Sequence, residues 1–219
     1  HRSTPIGSGS GETPREDLRA RHDSVFLATG VYRTREVMVP GAGLGGVVQA
    51  LGFLTASNRR GYDDDPGEDA GLHARGKRVV VIGGGDTAMD CVRTSIRQGA
   101  VSVTCLYRRD HANMPGSMQE VKNAEEEGVQ FTWLAAPEAF LGDGTVRAVR
   151  AHRMRLSLPD ATGRQSVEVM PESSFTLDAD LVVQALGFEP EALPEMWEAP
   201  DLAVTRWGTL KVEPGHFAT

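Results

Sequence analysis

The run Val79-Val80-Val81-Ile82-Gly83-Gly84-Gly85-Asp86-Thr87-Ala88-Met89-Asp90 constrains this chain more than any other stretch. Four apolar β-branched residues lead into three glycines, and the glycines open a helical segment. Strand, tight turn and helix follow in that order, and Gly83, Gly85 and Ala88 fit the spacing G-x-G-x-x-A of a dinucleotide-binding turn. Each position has a physical task. Gly83 permits the turn out of the strand. Gly85 omits a Cβ where a pyrophosphate must approach the backbone, and Ala88 lets the helix lie close on the strand. Gly84 and the N–H groups of Asp86, Thr87 and Ala88 complete the expected phosphate cradle, because a helix N-terminus carries unpaired donors and a partial positive charge. Thr87 either adds its hydroxyl or is a plain first-turn residue. Asp86 reads as a cap, since a carboxylate aimed at phosphate would repel it.

The flanking segments alternate. Residues 78–82 read as a strand, 86–98 as a helix stopped at Gly99, and 101–107 as a second strand. Ser117-Met118-Gln119-Glu120 matches a capping box that opens a helix to residue 127, closed by Gly128, with a third strand over 129–134. Short strands alternating with helices indicate a parallel sheet with right-handed crossovers. After Pro137 the rhythm changes. Strands over 146–156, 166–169 and 174–177, separated by turns at 142–144 and 160–163, indicate an inserted antiparallel meander. Residues 180–186 read as another buried parallel strand, ending at Gly187, with a short strand candidate at 209–212. Upstream, 1–20 reads as loop, 24–30 as a short buried strand, 47–58 as a helix and 61–71 as an exposed acidic linker.

A net charge of −7 argues against nucleic acid or an anionic membrane surface as the main partner. The sequence has no apolar run near the ~20 residues of a membrane span and no signal-peptide core at its start. The lack of an initiator Met suggests a processed or shortened chain. Cys91 and Cys105 read as small buried residues of a reduced cytoplasmic protein, and no ligand set for a metal is spaced along the chain.

The second strand decides which dinucleotide is expected. A carboxylate at its end would accept from a ribose 2′-OH, whereas a 2′-phosphate needs cations. Here the strand ends Tyr107-Arg108-Arg109-Asp110, with both arginines ahead of the acidic residue. Planar guanidinium groups suit phosphate, so Arg108 and Arg109 point to NADPH rather than NADH.

The stretch 79–97, followed by Tyr107-Arg108-Arg109-Asp110, Asn113-Met114-Pro115-Gly116-Ser117 and the block 120–129, resembles the small (β) subunit of NADPH-dependent glutamate synthase. Val25-Phe26-Leu27-Ala28-Thr29-Gly30, the block 45–54 and Ala185-Leu186-Gly187-Phe188-Glu189-Pro190 continue the likeness in the same order, from about Ser24 onward. The resemblance implies a flavoprotein related to adrenodoxin reductase, in which NADPH passes a hydride to FAD and electrons continue through iron–sulfur clusters to a large (α) subunit that makes glutamate from glutamine and 2-oxoglutarate. It places Ala28, Thr29, Gly30 and Gly187 where the chain crosses between flavin and NADPH domains, and it brings Glu120 near the nicotinamide amide. The capping-box role of Glu120 beside Ser117 is the competing reading. Read from the residues alone, the Ala28–Gly30 and Gly187 turns are ordinary strand ends.

The cysteine-rich cluster domain and the two flavin fingerprints of that family are not in this sequence. The expected fold is therefore α/β: a Rossmann-like NADPH domain over 71–186 with a parallel sheet and an inserted antiparallel meander. Partial flavin-domain segments over 1–70 and 187–219 flank it. The nicotinamide needs no protein acid or base, so no catalytic side chain is assigned. His111 and His152 read as surface residues, and Trp133, Trp197 and Trp207 as packing residues. Two other readings stay open: a paralogous NADPH oxidoreductase feeding a ferredoxin-type acceptor, and a non-catalytic NADPH-binding module.

Overall fold

The computed structural model describes residues 5–7, 9–64, 67, 71–161, 165–213 and 215. The expected 160–163 turn, the 61–71 linker and the chain end lie partly outside them. The chain divides into two compact units, Glu36–Gly187 and a second built from His1–Arg35 with Phe188–Thr219. Among the described residues no helix is long and apolar enough to cross a membrane.

The larger unit is organised around five strands: β2 (Val47–Gln49), β3 (Arg78–Ile82), β4 (Ser102–Tyr107), β5 (Gln130–Trp133) and β10 (Leu181–Gln184). They lie in the order β2-β10-β3-β4-β5 and every pair is parallel. A strand buried on both faces needs apolar residues at every position, and Val79 to Ile82 and Leu181 to Val183 supply them. The pleat then sorts the side chains by parity. Val79, Val81, Val103, Cys105, Leu181 and Val183 face helices α2 (Ala50–Gly61), α3 (Asp86–Arg97) and α4 (Met118–Glu126), meeting Phe53, Met89, Val92 and Val121. Val80, Ile82, Leu106 and Val182 face the other way and pack on Ala135, Phe140, Val146, Val149 and Ala151. That second layer is an antiparallel meander of β6 (Ala135–Asp143), β7 (Thr145–Leu156), β8 (Val167–Val169) and β9 (Phe175–Asp178). The parallel sheet thus lies between a helical layer and a second sheet.

Several expectations change here. Residues 47–49, read as the start of a helix, are strand β2, because Val47 and Val48 find ladder partners in Val182 and Val183. The helix starts at Ala50. With β2 and α2 the segment from Glu36 onward belongs to this unit, so the chain enters the sheet well before residue 71. Residues 135–143, for which the sequence reading has no strand, form β6, because the 142–144 turn folds them onto β7.

In the smaller unit β1 (Arg33–Thr34) pairs antiparallel with β11 (Phe188–Glu189), and α1 (Arg15–Arg21) replaces part of the expected loop. Leu193 of α5 (Leu193–Met196) clusters with Trp197, Ala199 and Leu202, against Leu27 and Leu210. Arg15 is buried and binds both oxygens of Asp201, at 2.8 and 2.7 Å. Residues 24–30 do not form the expected buried strand. They have no ladder partner among the described residues, and Phe26 is 90% exposed. The expected strand at 209–212 reduces to a single bridge between Val204 and Leu210. Trp207 lies mostly exposed under the Arg206 guanidinium instead of packing inside.

Candidate functional site

Parallel α/β sheets bind ligands at the carboxyl ends of strands, where successive connections leave in opposite directions. In the larger unit that point lies at the end of β3, between β4 and β10. The Gly83-Gly84-Gly85 turn sits there and leads directly into α3.

The glycines have distinct reasons to be glycine. Gly83 has φ +144°, a conformation that L side chains rarely adopt, and a methyl group there would run into the carbonyl of Ala185. At Gly84 a Cβ would lie 2.5 Å from the Tyr107 ring. At Gly85 an added Cβ would have no atom beyond its chain neighbours and its own helix within 4 Å. Packing therefore demands the first two, while the third faces open space, as a close-approaching ligand requires. The first N–H of the α3 turn with an intramolecular acceptor is that of Ala88, on Gly85 O at 2.9 Å. The N–H groups of Gly84, Gly85, Asp86 and Thr87 precede it. Ala88 is fully buried, which is the close helix–strand packing its place in the motif calls for.

Asp86 does not cap its helix. Gly85 occupies the N-cap position and no side chain caps it. The Asp86 carboxylate instead accepts from the backbone N–H of Ser117 at 2.8 Å. The 117–120 capping box does not form either, since Ser117 makes no side-chain cap bond. Glu120 turns to Arg93 on α3, whose guanidinium also binds Glu127 at 2.9 Å, and it accepts from Asn123 at 3.3 Å. An ion pair to a half-buried guanidinium outweighs a bond to one N–H at a solvated helix end. The ring of ions holds α3 against α4.

Arg108 and Arg109 follow β4 directly, one strand over from the glycine turn. Neither guanidinium has an ion-pair or hydrogen-bond partner among the described residues. Asp110, the nearest carboxylate in sequence, is occupied by Asn113, accepting from its backbone N–H at 2.9 Å and from its amide at 2.7 Å. Burial pushes the Tyr107 phenol above its ordinary range, and Arg109 and Arg108 pull it the other way, so both cations lie near that ring. Tyr107 and His111 each meet Trp133 edge-on, and Phe131 stacks on it at 4.7 Å. Leu134 adopts φ +51°, rare for a branched residue, and its N–H donates to Arg109 O at 3.0 Å. Tyr107 and Gly116 stand in the sequence blocks that carry the family likeness but were given no role at the site, and Leu134 was not singled out.

Cys91 and Cys105 are buried, and burial pushes the Cys105 thiol up to about 12. Neither is a thiolate at neutral pH. Ala28, Thr29 and Gly30 belong to the smaller unit, where Gly30 has φ +72°, and Gly187 closes the larger unit with φ +81°. A cleft of ≈ 300 Å³ within the smaller unit is lined by the Arg15–Asp201 pair with Arg19, His22 and Leu27. Its cations are already matched by carboxylates.

A family model described as pyridine nucleotide-disulphide oxidoreductase matches residues 9–216. A putative glutamate synthase (NADPH) small chain from Cereibacter sphaeroides is 61% identical over 202 residues, covering 92% of this chain and 49% of that protein. The glutamate synthase (NADPH) small chain from Azospirillum brasilense is 59% identical over 199 residues, covering 90% of this chain and 41% of that one. The chain thus spans about half the length of the curated relatives it matches. Among solved structures, FprA from Mycobacterium tuberculosis superposes with a TM-score of 0.70 at 19% identity, over 82% of this chain and 53% of that one, a likeness of fold.

Proposed function

This chain belongs to the pyridine nucleotide-disulphide oxidoreductase family, and we propose that it is the NADPH-binding part of a flavin-dependent oxidoreductase of the glutamate synthase small-chain type. The observation that carries the reading is the open glycine turn at the N-terminus of α3 beside two arginines without carboxylate partners among the described residues. Gly83 and Gly84 shape the turn, and Gly85 with the N–H groups of Asp86 and Thr87 takes the pyrophosphate, while the Ala88 N–H, expected in the cradle, is already bonded to Gly85 O and Ala88 serves by its small size. Arg108 and Arg109 take the 2′-phosphate, which NADH lacks. Thr87 adds its hydroxyl to the cradle. Glu120, committed to Arg93, sets the place of α4 beside the site and, through it, the approach of the nicotinamide end.

FAD, when bound, would supply the acceptor for the hydride. The likeness to the family assigns it Ala28, Thr29 and Gly30 of the smaller unit and, separately, Gly187 of the larger. They do not form a cradle on their own, because among the described residues β3 and α3 are the one strand–glycine–helix unit. Iron–sulfur clusters, a large (α) partner subunit, glutamate formation from glutamine and 2-oxoglutarate, and a cytoplasmic setting complete the proposal. They rest on the names of the relatives and on the sequence likeness.

Calorimetric titration of the chain with NADPH and with NADH tests this reading. A clear preference for NADPH is expected. A folded chain that binds both equally, or neither, overturns it. Gly85→Val is expected to leave folding intact, since space at that position is open, while abolishing binding of both dinucleotides.

A further inference from the structure

The segment between the arginine pair and α4 crosses back over the glycine turn and is tied to it at two points. The Gly116 N–H donates to Gly84 O at 2.9 Å, and the Ser117 N–H donates to Asp86 Oδ1 at 2.8 Å. The approach is close enough that a Cβ on Gly116 would lie 3.0 Å from Gly84 O and 3.4 Å from the carbonyl carbon of Gly85. At its other end the segment is tied to β4, because Tyr107 Oη donates to Asn113 O at 3.0 Å and Asp110 holds Asn113 by two bonds. Residues 107–117 therefore form a strap closed at both ends, with Arg108 and Arg109 at one end and the glycine turn at the other.

We propose that Asp86 is a positioning residue for dinucleotide selectivity. By latching the strap onto the glycine turn it holds the arginine pair at a fixed distance from the phosphate cradle. The pyrophosphate and the 2′-phosphate of one NADPH then meet partners that are already in place. The inference rests on the NADPH reading above. It assigns the Asp86 carboxylate the work of an acceptor across 31 residues of chain rather than that of a helix cap or a charge. The Asp86 charge in the first turn of α3 favours the helix dipole but repels a phosphate held at the same N-terminus, so its work as an acceptor for Ser117 is what fits it to a phosphate site.

The test is calorimetry of the full 219-residue chain with NADPH and NADH for the parent, Asp86→Asn and Asp86→Ala, together with amide hydrogen exchange at Gly116 and Ser117 and a thermal midpoint. Asp86→Asn keeps the accepting oxygen, so its NADPH affinity stays within about twofold of the parent or tightens as the like charge is removed. Asp86→Ala loses the latch, so the NADPH Kd rises about tenfold, the NADH Kd rises less, and the Ser117 amide exchanges faster in this variant alone. Should Asp86→Ala fail to fold, Ser117→Pro deletes the donor instead, at a residue whose φ of −57° already suits proline, and gives the same loss of selectivity. An Asp86→Asn chain as weak as Asp86→Ala, an unchanged Asp86→Ala, or an equal loss for both dinucleotides overturns the proposal. If the parent binds neither dinucleotide, it is the NADPH reading that fails. The latch is then judged by exchange alone, and equal Ser117 protection in Asp86→Ala and Asp86→Asn rejects it.

Discussion

At the N-terminal end of β3, Arg78 is locked between two carboxylates, whereas at the C-terminal end of the neighbouring strand Arg108 and Arg109 have none among the described residues. Arg78 donates from Nε and Nη2 to Asp180 at 2.9 and 2.8 Å and from Nη1 to Asp178 at 2.7 Å, and its backbone N–H adds a bond to Asp180 at 3.0 Å. The charge there is cancelled inside the protein, so that end of the sheet needs nothing from outside. Two adjacent cations left without a carboxylate repel each other, and a ligand phosphate relieves that repulsion. The same residue type thus does structural work at one end of the sheet and, under the proposed function, recognition at the other. What separates the two is how the acidic residues are engaged: Asp178 and Asp180 bind Arg78, whereas Asp110 and Asp86 are taken up by Asn113 and Ser117.

The sharpest way to break this comparison is at the turn that separates the two ends. Gly83→Ala places a methyl group against the Ala185 carbonyl at φ +144°, and a loss of about 3 kcal/mol of unfolding free energy is expected, read by urea titration. A loss under about 0.5 kcal/mol would mean that the turn relaxes freely.

Next in size is Asp180→Ala. Removing the acceptor of three Arg78 bonds is expected to cost about 2 kcal/mol, reduced from the buried-pair value because both side chains are partly solvated, with the NADPH preference unchanged. The Arg78 guanidinium holds the Asp180 carboxyl well below the usual carboxylate range. A carboxyl depressed in the folded state contributes stability that is complete above its unfolded value of about 3.9 and is lost as the pH falls toward the folded value. The parent chain should therefore lose more stability than Asp180→Asn as the pH is lowered from about 5 to 2, and parallel acid-unfolding curves would sink this assignment.

The smallest effect on stability is expected at the other end. Arg108→Ala should change the unfolding free energy by less than about 0.5 kcal/mol while reducing the preference for NADPH over NADH by about 1–3 kcal/mol. An unchanged affinity ratio would remove Arg108 from the 2′-phosphate site. A large loss of stability would show that the arginine is structural after all.

Much of the larger unit was legible because its signals are local. Val79 to Ile82 and the glycines announce a strand and its turn within a dozen residues. The meander beyond Pro137 shows in its turns, though β6 escaped because Ala-Ala-Pro-Glu-Ala-Phe has no strand alternation of its own and is held by pairing with β7. Residues 24–30 failed for the converse reason. Val25-Phe26-Leu27-Ala28 has strand composition, but composition makes no ladder without a partner. At the candidate site the glycine turn that opens α3 and the arginine pair after β4 were readable from spacing. The partners of Asp86 and Glu120 were not, because each residue matched a local capping pattern and then found a stronger partner on another element.

The sequence by itself determined the strand–turn–helix of β3 and α3, the succession of parallel strands, and the placing of two arginines at the end of the second strand. All of these follow from backbone conformation and apolar periodicity over a few neighbouring residues. Only the tertiary structure decided that residues 47–49 join the sheet as β2, that Glu120 binds Arg93, and that Asp86 reaches Ser117 across 31 residues. Those choices are made between groups far apart in the chain. There, the strongest available charge or hydrogen-bond partner wins over the local rule, and no window of sequence contains both members of the pair.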